Sequence, residues 1–295
     1  MLRIPLNPLK YPFHSLRPYI IYPVVWVVFF GTPLFDWFRL DMLNQKLIWL
    51  GHTYPMEPQN LMWLPIGFYG MVLLIGIISV FWGRLFCGWS CPHNVMTEWT
   101  RPLRALVGRE PPARWLKTLT NQLINHWPSA RWILWLTSIT LGTLLAFVMT
   151  FSLTAYVLPP SWVFQSYLTG NVHPALGFGQ GLFTVIGLFL LYSGHDFCRA
   201  ACPYGMAQGL SAYLEGKWRP MEIRFTGNDI AADCKTCKTC VTACPVDIDP
   251  RKPENLKLGE FYGCFNCGEC IDACNFIHAP KQKPGILEFY RESIF

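Results

Sequence analysis

Eight cysteines between residues 234 and 274 constrain this chain more than any other feature. They fall into two runs, CKTCKTCVTACP and CFNCGECIDAC, which share one internal spacing. In each run, three cysteines are separated by two residues each, and a fourth follows after three intervening residues. Thiols repeated this densely predict that the segment folds around metal rather than around an apolar core alone.

This spacing is typical of bacterial two-cluster ferredoxins, in which the fourth cysteine of each run binds the cluster of the other run. A tight loop can wrap three corners of a cubane, and the fourth corner needs a residue from elsewhere. The expected ligands of the two 4Fe–4S clusters are Cys234, Cys237, Cys240 and Cys274 for one, and Cys264, Cys267, Cys270 and Cys244 for the other. Zinc sites need neither the third step of this spacing nor the closing Cys-Pro. Eight iron-bound thiolates also indicate assembly in a reducing compartment rather than disulfides.

The other four cysteines form two CxxxCP motifs, each directly after an apolar stretch. Cys87 and Cys91 form the first motif, and Cys198 and Cys202 form the second. Residues four apart share a helix face, so each pair is expected to present two sulfurs in one direction. The matched pairs predict one shared metal site, either a further iron–sulfur cluster or copper(I). The alternative is that these cysteines are buried as small hydrophobic residues.

Two histidines border these motifs. His93 follows Cys91 by two residues, and His195 precedes Cys198 by three, which places it on the same helical face. Each histidine is a candidate ligand of the shared site, and each could instead be a polar residue at the membrane interface.

The composition places a large part of the chain in a lipid bilayer. The 295 residues are 52% hydrophobic and only 14% charged, whereas soluble domains carry about 25% charged residues. About twenty apolar residues span the hydrocarbon, and four stretches approach that length, at about 17–38, 61–86, 132–157 and 181–197. The predicted fold is an α-helical membrane bundle of four transmembrane helices with a small α+β two-cluster ferredoxin domain.

The domain organisation follows from these stretches. Residues 1–16 form a cytoplasmic N-terminal segment, 17–202 the transmembrane domain with both CxxxCP motifs, and 203–295 the ferredoxin domain and tail. Between the first two spans, residues 39–60 are of mixed polarity, and their apolar piece LIWLG is expected at the membrane interface.

The distribution of basic residues predicts the orientation in the membrane. Segment 158–180 contains no Lys or Arg, whereas loop 84–131 contains seven basic residues: Arg84, Arg101, Arg104, Arg109, Arg114, Lys117 and Arg131. The positive-inside rule therefore places both termini and the ferredoxin segment in the cytoplasm. This topology also accounts for the net charge of +6, so nucleic acid is not an expected partner.

Several common cofactors lack their motifs. The chain has no CxxCH for attached c-type haem, and no GxGxxG or GxxxxGK[ST] for a nicotinamide or ATP. His52 and His173, in the loops predicted to be external, could contact an outer haem or a quinone head-group, although loop histidines are usually solvated.

Beyond the cysteine spacing, the chain resembles the membrane-bound polyferredoxin family. The likeness rests on CGWSCPHNVMTEW and CRAACPYGMAQ ahead of a two-cluster segment, and it covers nearly the whole chain. The family includes FixG/CcoG-type cytochrome oxidase accessory proteins, NapH-type quinol dehydrogenase subunits and NosR-type regulators. The likeness to the FixG/CcoG type extends to FDWFRLDMLNQKLIWLG and KPGILEFY. That type continues into a fifth span and an external immunoglobulin-like domain, which this sequence lacks, and His93 and His195 do not match its pattern.

The resemblance implies electron transfer in the bacterial cytoplasmic membrane, by quinol oxidation in the NapH type or copper(II) reduction in the FixG/CcoG type. Three functions therefore stay open. The chain could pass electrons between quinol and a redox partner, such as another respiratory subunit. It could act as a metal reductase or assembly factor for an oxidase, or as a structural subunit whose clusters sense redox state.

Overall fold

Long apolar helices dominate the computed structural model. The structure describes residues 13, 16–82, 84–109, 120, 130–205, 222–227, 230–234, 237–252, 264–281 and 284–290. Among these, three helices are long and apolar enough to cross a membrane, namely Pro58–Ile78, Ala130–Thr154 and Pro174–Ser193. A shorter apolar helix is Arg17–Gly31, and the fourth crossing predicted there stays a prediction. The chain is therefore a mostly helical transmembrane protein.

The described elements have the following bounds. The helices are α1 Arg17–Gly31, α2 Pro58–Leu61, α3 Trp63–Trp82, α4 Leu85–Trp89, α5 Pro92–Trp99, α6 Arg101–Leu106, α7 Ala130–Thr154, α8 Pro160–Leu168, α9 Pro174–Ser193, α10 His195–Ala200, α11 Ile230–Asp233, α12 Thr239–Ala243 and α13 Glu269–His278. The strands are β1 Phe38–Asp41, β2 Lys46–Trp49, β3 His52–Pro55, β4 Glu222–Phe225 and β5 Leu287–Tyr290.

The described residues group into two compact units. The helical unit comprises the described residues of 24–71 and 96–194. The cysteine unit comprises those of 1–23, 72–95 and 195–295, and it contains all twelve cysteines. The domain boundaries predicted at 16/17 and 202/203 divide the chain by composition and stay a prediction.

In the helical unit, α7 and α9 pack antiparallel along a stripe of small residues. On α7 the buried stripe repeats every four residues, as Ser138, Gly142, Ala146 and Thr150. A Cβ atom added at Gly187 of α9 would lie 3.5 Å from the Cβ atom of Ala146. Small side chains let helices approach closely where lipid offers no hydrophobic driving force.

Polar side chains along this seam bond across the two helices. The Gln180 Nε2 donates to Thr150 Oγ1 at 2.7 Å and to the Phe147 carbonyl at 3.2 Å. The hydroxyls of Thr150 and Thr184 lie 3.1 Å apart. These bonds satisfy polar groups that the bilayer core cannot hydrate.

Helix α9 begins earlier than the span predicted at 181–197. It begins at Pro174, a residue suited to the first helical position, and the His173 side chain accepts a hydrogen bond from the Ala175 N–H at 3.3 Å. The helix ends before Gly194, whose φ of +57° few other residues adopt. Capping residues thus set the ends of this helix, and hydropathy alone does not report them.

Residues 39–60, whose apolar piece LIWLG is predicted to lie at the membrane interface, contain most of a three-stranded antiparallel sheet in the order β1-β2-β3. Leu47 and Ile48 of β2 are buried. The β1–β2 turn contains Gln45 at a φ of +51°, and the β2–β3 turn contains Leu50 and Gly51 at +49° and +79°. Strands of four residues are too short to show a clear alternation of polarity in the sequence.

We expect Gly142→Ala to destabilise the helical unit. The added Cβ would lie 2.8 Å from the Tyr192 hydroxyl oxygen, and this hydroxyl cannot move without losing its hydrogen bonds to Ser138. Overpacking of this kind costs about 1–3 kcal/mol. Thermal unfolding in detergent, followed by circular dichroism, measures the change.

The matched control is Gly179→Ala in α9, where nothing lies within 4 Å of the added Cβ. This variant should unfold at the wild-type temperature or slightly above it, since alanine favours helix over glycine. Equal unfolding temperatures for the two variants would contradict the packing seen at Gly142.

Candidate functional site

In the cysteine unit, a cavity of about 560 Å³ is lined by cysteines from both runs. They are Cys234, Cys237, Cys240 and Cys274. Its wall includes the antiparallel strands β4 and β5, whose Phe225 and Leu287 are register partners. The three leading cysteines of the first run and the last cysteine of the second run therefore face one space.

Three of the remaining four cysteines of the two runs are buried, whereas among the four cavity cysteines only Cys240 is buried. Cys244, Cys267 and Cys270 are 8%, 5% and 5% exposed, and Cys264 packs with Cys244 against one apolar core. Burial, and after it the charge of the nearby Cys267, raises the pKa of the Cys244 thiol to about 12. Burial, and after it the charges of Cys264, Cys267 and Cys244, likewise raise the pKa of the Cys270 thiol well above its usual range. These four sulfurs are close enough to repel one another as thiolates.

Backbone N–H groups donate hydrogen bonds to two of the eight ferredoxin sulfurs, one in each proposed set. The Asn266 N–H donates to Cys264 Sγ at 3.3 Å, and the Ile286 N–H donates to Cys274 Sγ at 3.4 Å. Hydrogen bonds to sulfur stabilise negative charge there and are among the factors that set the potential of an iron–sulfur cluster.

The two CxxxCP motifs have the same local structure. The Cys91 N–H donates to the Phe86 carbonyl at 3.0 Å, and the Cys202 N–H donates to the Phe197 carbonyl at 2.9 Å. In both motifs the second cysteine lies just beyond the last helical residue, because the chain bends before the proline that follows. The expectation of two sulfurs on one regular helix face is therefore corrected to one sulfur on the helix and one at its end.

The structure brings the two motifs together through their histidines. His93 Nδ1 lies 3.2 Å from Cys198 Sγ, and His195 Nε2 lies 2.9 Å from Asn94 Oδ1. Burial, and after it the charges of Cys91 and Cys202, raise the pKa of the Cys198 thiol to about 12. Sulfurs of both motifs thus lie within electrostatic range of one another.

The first motif also contacts the second ferredoxin run. Cys87 and Cys198 pack against the same apolar core as Cys244 and Cys264. A Cβ atom at Gly88 would lie only 2.4 Å from the Phe265 carbonyl oxygen. Only glycine allows this approach between the CxxxCP helix and the cysteine loop.

Hydrogen bonds hold the same contact in place. The Trp89 Nε1 donates to the Asn266 carbonyl at 3.1 Å, and the Asn266 side chain donates to the Trp82 carbonyl at 2.9 Å. Asn266 adopts a φ of +51°, a conformation that asparagine tolerates better than most residues.

Sequence reasoning missed a buried polar network beside this contact. Arg17, only 1% exposed, donates to the Gly88 carbonyl at 3.0 Å and to Glu269 Oε1 at 3.0 Å. It also donates to the Tyr22 hydroxyl, which accepts from Asn94 at 3.2 Å. In the sequence, Arg17 looks like an ordinary basic residue flanking a membrane span, and no local signal connects it to Glu269.

The two loop histidines considered as haem or quinone contacts have different settings. His173 caps α9 through its side chain. His52 lies on β3, where it is exposed. The structure therefore gives His173 a structural role.

The cavity cysteines are compatible with a multi-iron cluster. Within the described ranges, no three His, Cys, Asp or Glu side chains converge closely enough to hold one metal ion. In a cubane the four thiolates bind four different iron atoms, so the sulfurs need not converge on one point. The 560 Å³ cavity with its four cysteines fits that requirement.

Two family models match the chain. A 4Fe–4S dicluster domain matches residues 220–292. A 4Fe–4S binding domain matches residues 63–110 and 175–220, and each of these stretches contains one CxxxCP motif.

Several proteins are similar to the chain over most of its length. A ferredoxin-type protein NapH of Haemophilus influenzae is 28% identical over 211 residues, which are 70% of this chain and 64% of that protein. Protein RdxB of Cereibacter sphaeroides is 28% identical over 218 residues, or 68% of this chain and 43% of that protein. The methylamine utilization ferredoxin-type protein MauN of Paracoccus denitrificans is 29% identical over 176 residues, or 59% and 52%.

The chain spans less than two thirds of the length of each of these relatives. No solved structure matches it. The relatives and the two domain matches confirm the resemblance to polyferredoxins: the chain contains 4Fe–4S ferredoxin domains and is similar to NapH-like ferredoxin-type proteins, whereas the likeness to the FixG/CcoG type stays a prediction.

Proposed function

We propose that this protein carries electrons from quinol in the membrane to a redox partner, through a CxxxCP iron–sulfur site and two ferredoxin clusters. One observation carries the proposal. Cys87 and Cys198 of the CxxxCP motifs pack against the same apolar core as Cys244 and Cys264 of the ferredoxin runs. Direct packing keeps the path between the two sites short and free of water.

The ligand sets proposed for the ferredoxin clusters are the crossed ones. The shared cavity supports Cys234, Cys237, Cys240 and Cys274 as one set. Mutual electrostatic effects among the deeper thiols support Cys264, Cys267, Cys270 and Cys244 as the other. When bound, each cluster accepts and donates single electrons.

A third iron–sulfur cluster is proposed for Cys87, Cys91, Cys198 and Cys202. The domain match that includes both motifs supports iron, and the lack of a single-ion group among the described side chains disfavours copper. His93 lies at hydrogen-bond distance from Cys198 Sγ, so we assign it to tuning that sulfur rather than to metal binding. His195 bonds to Asn94 and orients the first motif.

Burial suggests the order of transfer. The Cys244 and Cys264 sulfurs lie next to the CxxxCP cysteines, and Cys267 and Cys270 are buried with them. Cys234, Cys237 and Cys274 are more exposed. Electrons would enter through the CxxxCP site, pass the deep set and leave from the exposed set.

Quinol is the proposed donor because it is the mobile two-electron carrier of a respiratory membrane. Its oxidation to quinone releases two electrons and two protons. The electrons enter the chain one at a time, and the protons pass to water at the membrane surface.

The orientation proposed has the ferredoxin segment in the cytoplasm of a bacterial inner membrane. Seven basic residues in 84–131 against none in 158–180 support it.

The crossed assignment predicts reciprocal losses. Cys244→Ala should remove the cluster of the Cys264 run, and Cys274→Ala should remove the cluster of the Cys234 run, because each change deletes one ligand of the other run's cluster. Iron analysis and electron spin resonance measure this. The two variants are matched controls for each other, and loss of the cluster of the mutated run itself would overturn the assignment.

The third cluster predicts an iron content of about twelve atoms per chain, whereas two clusters would contain about eight. Cys87→Ser with Cys198→Ser should remove about four irons and abolish reduction of the ferredoxin clusters by a soluble quinol analogue. The spectra of those clusters should stay unchanged, which shows that the fold is intact. If the double variant keeps full iron and full reduction, the four cysteines are structural.

The orientation predicts that a tag inserted near Gly170 is labelled from outside intact cells, because the segment around it lacks basic residues. A reporter fused after Phe295 should be active only on the cytoplasmic side. External labelling of the C-terminus would move the cysteine unit to the other face of the membrane.

A further inference from the structure

Arg84 connects the two CxxxCP motifs physically. It is 5% exposed, and it lies three residues before Cys87 at the start of α4. Its Nη2 donates to the Gly205 carbonyl oxygen. A Cβ atom placed on Gly205 would lie 3.9 Å from that Nη2 and 3.7 Å from Cys202 Cβ. One buried guanidinium therefore adjoins the second motif while its backbone leads into the first.

The core beside this guanidinium also contains the second ferredoxin run. A Cβ atom on Gly205, whose carbonyl accepts from Arg84, would lie 3.1 Å from the Cys198 carbonyl oxygen, and Cys198 packs with Cys87 and Cys264. These cysteines pack on a single core. Two of them belong to the CxxxCP motifs and the third to the deep ferredoxin set.

We infer that Arg84 is a fixed positive charge shared by the CxxxCP site and the Cys264-run cluster site, and that it raises the reduction potential of both. Reduction adds one electron to a site that is already negative. A buried cation stabilises the reduced form more than the oxidised form, because their attraction is poorly screened away from water. This inference rests on the function proposed above.

A shared cation has a consequence for the direction of transfer. Arg84 shifts the reduction potentials of both neighbouring sites in the same direction. The difference between the two potentials therefore changes little, while both sites accept an electron from the membrane more readily. Arg84 thus acts through its fixed positive charge and does not itself react.

Arg251 provides a matched comparison at the exposed ferredoxin set. Its Nη1 donates to the Cys237 carbonyl at 3.0 Å, and the residue lines the 560 Å³ cavity. Its guanidinium pairs with Asp249 at 2.6 Å. Each proposed ferredoxin set therefore has an arginine beside it, and the two can be tested separately.

The test is a redox titration of the full-length protein in detergent, followed by electron spin resonance. The Cys244→Ala and Cys274→Ala variants assign the ferredoxin signals. Arg84→Gln should move the midpoint potentials of the Cys264-run cluster and the CxxxCP site to more negative values and leave that of the Cys234-run cluster unchanged. Arg251→Gln should move only the Cys234-run cluster.

Arg84→Lys keeps the positive charge on a shorter side chain. It should therefore shift the same midpoint potentials in the same direction as Arg84→Gln, but by less. If Arg84→Gln loses iron, the test rests on Arg84→Lys alone, whose midpoint potentials at the Cys264-run cluster and the CxxxCP site should become more negative. The inference is overturned if all three signals move together, or if the Cys264-run signal does not move. If the protein contains only about eight irons, the proposal of a third cluster is wrong. The effect of Arg84 is then tested by the midpoint potential of the Cys264-run cluster alone.

Discussion

Burial of cysteine thiols is the constraint on which the cysteine unit depends. Cys87, Cys198, Cys244 and Cys264 surround one apolar core, and burial raises the thiol pKa of each. As thiolates without countercharge they would repel one another in a poorly hydrated place, at a high cost in free energy. At the proposed cluster sites, positive metal charge would remove that cost, and metal binding would become part of the folding free energy.

In the function proposed above, the close approach of Gly88 to the loop at Phe265 would bring the CxxxCP site next to the Cys264-run cluster. The contact needs a glycine on one side and an asparagine with positive φ next to it on the other. The Asn266 hydrogen bonds then hold the loop against Trp82 and Trp89. Cys87 and Cys198 share one core with Cys244 and Cys264, although even Cys198 and Cys244 are 46 residues apart in sequence; the proposed electron transfer would therefore need no large movement.

Both units hydrogen-bond polar groups that they bury. In the helical unit, Gln180 and Thr150 bond to each other across a seam of small residues, so no charge is needed in the bilayer. In the cysteine unit, buried guanidinium groups of Arg17 and Arg84 bond to backbone carbonyls beside the cysteines. The helical unit also contains a buried guanidinium, that of Arg104, which donates to the Leu191 and Thr97 carbonyls.

The sequence by itself determined the cluster motifs and the long apolar spans. Thiolate spacing reflects the fixed size of a cubane, and hydropathy reflects the fixed thickness of a bilayer, so both are local signals. Only the tertiary structure decided that Cys87 and Cys198 meet Cys244 and Cys264, that Arg84 joins both motifs, and that residues 38–55 form a sheet. Those contacts depend on side chains distant in sequence or on strands of four residues, where no periodic pattern in the chain announces the partner.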